Sequence, residues 1–180
     1  MNRNVLLLEP NYKNKFPPIA LMKLATYFRL RGDNVVFYKG DLKEFLINDI
    51  ANDCVKKLTQ LDGTINWKLR TDKIALFIKY RRKSDLERIG LEDSEYSTLL
   101  YPWLEYYKKY FHKKLYLQHP KWDWVGVTTL FTFYWKITIE TIEFAKLLCK
   151  DWRHNLMVGG VLASIQPREI EAASGAKPHV

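Results

Sequence analysis

Asn4-Val5-Leu6-Leu7-Leu8-Glu9-Pro10, near the front of the chain, decides how the rest is read. A short apolar run closed by a proline and followed by polar residues suits a strand buried on both faces, the environment of a parallel sheet. From Glu9 to Pro18 the chain is a loop, because the adjacent prolines Pro17 and Pro18 bar both a strand and a helix interior. Pro18 fits the first turn of a helix whose buried face is Leu21, Met22, Leu24, Ala25 and Phe28, spaced three and four apart. Gly32 is placed to end that helix in a left-handed turn, and Val35-Val36-Phe37-Tyr38 supplies a second strand. The result is a strand–helix–strand unit of the length a right-handed parallel crossover needs.

Outward from this unit, Leu42, Phe45, Leu46, Ile50, Cys54, Val55 and Leu58 continue at helical spacing to about Leu61, with Asp41 as the cap. The stretch 62–121 differs, with Trp67, Trp103, many tyrosines and the basic clusters Lys79-Tyr80-Arg81-Arg82-Lys83 and Lys108-Lys109; it reads as a largely helical insertion. Strand character returns at Trp122-Asp123-Trp124-Val125-Gly126-Val127-Thr128, where Gly126 marks close approach by another group. A loop at Thr129 to Tyr134, a helix from about Trp135 to Trp152, a strand Leu156-Met157-Val158 closed by Gly159-Gly160, and a short helix from Pro167 to about Ala173 complete the chain. The fold class is α/β: one domain, with a parallel-sheet core over about 4–61 and 122–180.

The totals agree with one folded domain, since 180 residues with 47% hydrophobic and 27% charged residues lie outside the disordered regime. Cys54 and Cys149 have no second thiol at ligand spacing, which excludes a disulfide framework and a cysteine-bound cluster within this chain; both read as half-buried structural thiols. Val5 to Leu8 is far shorter than the core of a signal peptide, and no apolar stretch approaches the roughly 18 residues that span a bilayer. The expectation is a cytoplasmic protein with no membrane role. A net charge of +9 and a pI near 9.4 attract phosphates on nucleic acid, lipid or cofactor, or serve solubility alone.

In open α/β sheets ligands bind outside the carboxyl ends of the strands, where strand order reverses. Three loops meet that condition, and they nominate Asn11 and Tyr12, then Thr128, Thr129, Leu130 and Phe131, then Gly159, Gly160 and Val161 as cofactor-contacting residues. Two glycines after a strand let the backbone pass beneath a bound group, although an ordinary turn uses them too. There is no Gly-x-Gly-x-x-Gly after the first strand and no Walker-type lysine loop, which disfavours a dinucleotide or nucleoside-triphosphate cradle. His112, His119, His154 and His179 are not paired with a nucleophile by any motif, so no residue is assigned to catalysis or to a metal.

The order of these pieces resembles the cobalamin-binding-type domain at the front of many radical S-adenosylmethionine enzymes. The segments Val5 to Pro10, Pro17-Pro18-Ile19-Ala20-Leu21, Leu24-Ala25-Thr26-Tyr27 and Arg31-Gly32-Asp33-Asn34-Val35 are similar to that family's P-P-x-G-L-x-x-L-A-x-x-L-x-x-x-G-H-x-V opening. Asp123 to Thr128 resembles its D-x-V-G-I-S, and Val158 to Ala163 its V-G-G-x-H-A-T. The likeness covers residues 4–40 and 123–180 and leaves the insertion unexplained.

The resemblance implies a Rossmann-like (flavodoxin-like) sheet and a cobalamin-binding-like accessory domain. Thr128 to Leu130 would line the pocket for the cofactor's nucleotide tail, and Gly159-Gly160 would let that tail thread into the sheet. Glu9 to Pro18 holds no histidine, the lower axial ligand of mutase-type domains, so cobalt is bound without it or the pocket is vestigial. The three-cysteine motif is absent, which places S-adenosylmethionine and a 4Fe-4S cluster in a downstream radical domain and makes this chain a fragment of a longer protein or an isolated homologue. The competing reading is a nucleic-acid or protein-partner module on the insertion, with Tyr80, Arg81, Arg82 and Lys83, and Lys108-Lys109 among Tyr106, Tyr107 and Tyr110, pairing phosphate contacts with stacking. A helical face packed by its aromatics and solvated by its lysines accounts for the same pattern and is favoured over it.

Overall fold

A computed structural model describes residues 2–14, 18–80, 84, 89, 102 and 116–179. Its sheet has four strands, β1 (Asn4–Glu9), β2 (Asn34–Lys39), β3 (Trp124–Thr128) and β4 (Leu156–Gly159), all parallel in the order β2-β1-β3-β4. The apolar run that opened the argument occupies the centre: Val5 to Leu8 are at most 1% exposed. Valine and leucine without a polar alternate suit such a position, since both faces of a central parallel strand are covered.

Helix α1 (Ile19–Leu30) follows β1 and lays Leu21, Ala25 and Phe28 on Val5 and Leu7, with Leu24, Val35 and Trp124 packed at the margin. Pro18 is the residue before the first turn rather than a member of it. The helix ends as the glycine predicts: Gly32, at φ +82°, donates to Arg29 O (2.9 Å), and Asp33 N reaches back to Phe28 O (3.0 Å). Asp33 then receives Arg3 N at 3.1 Å and the Arg3 guanidinium at 3.0 Å, tying the helix exit to the start of β1. In β3, a Cβ on Gly126 would lie 2.9 Å from Leu7 Cδ2, so the group that approaches this glycine is a core side chain of the neighbouring strand.

Packing divides the chain into two compact units, Met1–Leu42 with His119–Val180, and Lys43–Gln118. The sequence reading set the break at residue 62, after α2 (Leu42–Leu61); packing sets it at the start of α2. The second unit holds most of α2, a 3-10 turn (Trp67–Arg70), α3 (Thr71–Tyr80) and the short α4 (Tyr116–Gln118), so its described elements are helical. Its buried residues include Ile50, Cys54, Leu58, Trp67, Ile74 and Phe77, and Trp67 Nε1 donates to Asp62 O at 2.7 Å.

After β3, a 3-10 turn (Thr132–Tyr134) leads into α5 (Trp135–Leu148), which packs on β3 and β4. The predicted continuation to Trp152 does not occur. Cys149 turns extended (φ −90°, ψ 131°) and bridges Trp122, and Lys150 N donates to Trp122 O at 3.0 Å. Helical backbone cannot make that pairing, so the chain breaks and resumes as α6 (Trp152–Asn155) before β4. α7 (Val161–Ile165) and α8 (Pro167–Ser174) follow, and His179 N pairs with Val158 O on the outer edge of β4 at 2.7 Å. Both cysteines are fully buried rather than half-buried. Among the described residues no helix is long and apolar enough to cross a membrane.

Candidate ligand-binding rim

Strand order reverses between β1 and β3, since β2 lies to one side of β1 and β3 with β4 to the other. Connections leave this point in opposite directions, and it is at such a point, outside the carboxyl ends of the strands, that open α/β sheets bind their ligands. The loops nominated from sequence therefore do meet on one edge of the sheet-bearing unit.

Tyr12, from the β1 loop, is buried at 3% exposure and turned toward α5. Its Oη lies 2.7 Å from Thr138 Oγ1, and Thr138 donates its own proton to Tyr134 O at 3.0 Å, so the phenol is the donor between the two hydroxyls. Burial pushes the phenol's pKa up, and the bonds to Thr138 and the Leu130 backbone offset part of that rise. The Tyr12 ring stacks on Tyr134 (centroids 5.1 Å, 27°) and meets Phe131 edge-on at 6.5 Å. Phe131 in turn stacks on Phe133, which is 74% exposed. Asn11, beside Tyr12, is exposed.

Thr129 does a different task from Thr128. It is fully buried: its N–H and its hydroxyl both donate to Gly159 O (2.7 and 3.0 Å), while its Oγ1 accepts from Ala163 N (2.9 Å) and its carbonyl from Leu162 N (3.3 Å). Four bonds thus lace the β3 loop to the β4 loop. Gly160 sits at φ +106°, and a Cβ there would fall 2.4 Å from Thr129 O. The close approach expected at the glycine pair is filled by Thr129's own backbone. Thr128 is also buried, yet its hydroxyl makes no side-chain hydrogen bond among the described residues. Leu130 is half-buried, and Val161, the first residue of α7, is exposed.

Glu9, Lys39 and Asn14 were missed by the sequence reading. Glu9 and Lys39 are register partners at the ends of β1 and β2, with Lys39 Nζ 3.1 Å from Glu9 Oε1. Lys39 directs hydrogen bonds to Asn14 O (2.9 Å) and Asn14 Oδ1 (2.5 Å), pinning the β1 loop to the neighbouring strand. Phe133, Tyr134 and Thr138 also escaped notice; the run of aromatics after Thr132 was the available signal.

Cobalamin fits this donor set in part. The β1 loop offers no histidine, and among the described residues no group of three or more His, Cys, Asp or Glu could hold a metal. A tail threading between the β3 and β4 loops would have to break the Thr129 bonds; the Glu9 carboxylate is fully buried beside Lys39, whereas the exposed Phe131 and Phe133 rings present an apolar surface on the rim. Two described cavities lie elsewhere, about 490 Å³ beside Arg153, His154 and Lys177 at the amino end of β4, and about 300 Å³ beside Glu44, Asp72 and Lys79 on α2 and α3.

The clusters Arg81 to Lys83 and Lys108-Lys109, with Tyr106, Tyr107 and Tyr110, lie outside the described residues, as does His112. Lys79, beside them in sequence, is ion-paired with Glu44 at 2.9 Å and lies over the half-exposed Tyr80 ring. Compared with known proteins, the chain matches no family model and no curated sequence.

Proposed function

We propose that the sheet-bearing unit is a cobalamin-binding-like accessory domain of a radical S-adenosylmethionine protein, presenting a cofactor or framing a substrate site for chemistry carried out by another domain. The observation that carries this reading is the strand order β2-β1-β3-β4, with the β1 and β3 loops side by side at the reversal and the β4 glycines next to them. That arrangement matches the order of the sequence motifs on which the resemblance rests. Cobalamin, when bound, supplies an organometallic centre. Thr128 would give it a polar contact, and the Tyr12, Phe131, Phe133 and Tyr134 cluster an apolar bed. The partner this reading needs is a domain that holds S-adenosylmethionine and the 4Fe-4S cluster.

Mixing the protein with hydroxocobalamin tests it. A shifted visible spectrum and co-elution on gel filtration are expected; an unchanged spectrum with no retained corrinoid contradicts the reading.

A further inference from the structure

Away from the carboxyl rim, a cavity of about 490 Å³ lies between α6 and the tail that follows α8. That volume is in the range of small-molecule sites, about 300–1,000 Å³. Arg153 and His154 line it from α6, Lys177 and His179 line it from the tail, and no carboxylate is among the described residues around it. Elsewhere in the same unit Arg3, Lys39 and Lys150 are ion-paired with Asp33, Glu9 and Asp123. The carboxylates tied to this wall are also taken, Asp151 by His154 at 2.8 Å and Glu143 by Lys146 at 2.9 Å. Arg153 and Lys177 have no carboxylate partner among the described residues. Both are nonetheless held in place. Arg153 lies over the Trp152 ring, 5.7 Å from its centroid. Gly175, at φ +66°, ends α8, and the bonds from Ala176 N to Ser174 Oγ (3.2 Å) and from His179 N to Val158 O (2.7 Å) bracket Lys177. Burial alternates along this tail, so Lys177 and His179 share its outward side. Like charges gathered round a concavity repel one another, and an anion relieves that repulsion.

We propose that this cavity is a phosphate site, separate from the rim, for a small molecule that carries a phosphate group. Arg153 supplies a planar fork of N–H donors and Lys177 a point charge, both suited to phosphate oxygens. The buried Leu156, Ala176 and Pro178 give the rest of such a molecule an apolar wall. A cavity of this size holds one small molecule, whereas a nucleic-acid backbone is followed by an extended groove.

Inorganic phosphate is the probe, titrated into the full chain and followed by amide NMR shifts. A background of about 0.1 M sodium chloride screens attraction to exposed charge beyond about 10 Å. Shifts are expected around residues 152–156 and 175–179. Arg153→Gln and Lys177→Gln, both at exposed positions that the fold does not depend on, should each weaken binding roughly tenfold. Lys23→Gln, at an exposed position on α1, should leave it unchanged. An absence of shifts at these residues, or equal weakening by Lys23→Gln, would overturn the proposal. So would single-stranded RNA that binds where phosphate does not, since that would mark a surface for polyanions.

Discussion

Gly160 and Thr129 show how tightly single residues set the rim. With φ at +106° and Thr129 O 2.4 Å from a would-be Cβ, Gly160→Ala meets both backbone strain and a clash. A loss on the order of 3 kcal/mol in urea unfolding is expected. Thr129→Val keeps the shape but removes the hydroxyl that donates to Gly159 O and accepts from Ala163 N, at about 2 kcal/mol. The dipeptide Gly159-Gly160 was legible as special because glycine is the residue that tolerates this backbone. Its neighbour was not legible, since only the folded chain brings Thr129 over it. Cys54 carries a further expectation: burial pushes its thiol up to about 12, and Cys149 is pushed up by the same cause. Neither thiol should react with a disulfide reagent at pH 8 until the protein unfolds, so prompt labelling of the native chain would contradict the packing described.

At the scale of elements, the ends of β1 and α1 are held by charge. The Arg3 guanidinium, hydrogen-bonded to Asp33, keeps that carboxyl below the usual aspartate range. Asp123 is pushed up by burial but held lower overall by Lys150 and the Asn4 N–H. Each carboxyl binds protons more weakly in the fold than in the unfolded chain. The stability they add is therefore complete above the ordinary aspartate pKa, about 3.9, and is lost as pH falls through the lowered folded values. Wild type should lose more stability between pH 6 and pH 3 than Asp33→Asn does, measured by urea midpoints; parallel curves would contradict this. The Tyr12 plug on α5 is a separate tie: Tyr12→Phe keeps the ring stack and loses one buried bond to Thr138, about 1 kcal/mol. The strands and α1 were legible because every local signal agreed, from the apolar run to the glycine stop. The end of α5 was not, because apolar spacing runs past Leu148 and the group that stops the helix is the carbonyl of Trp122, distant in sequence. Glu9 read as an ordinary strand end; its burial follows from the register with Lys39.

For the whole molecule, the central claim is that ligand recognition lies on the carboxyl edge of the parallel sheet, at the β1–β3 reversal, rather than on the basic insertion. The parallel topology was readable from the strand–helix–strand opening, whereas the grouping of α2 with the second unit depends on packing that no periodicity reports. Hydrogen–deuterium exchange with and without hydroxocobalamin addresses the claim most directly, because it reports which backbone segments the ligand orders. The account predicts slowed exchange confined to the loops after β1, β3 and β4, around residues 9–14, 128–134 and 159–165. Unchanged exchange across these loops, or protection confined to 43–118, would contradict it.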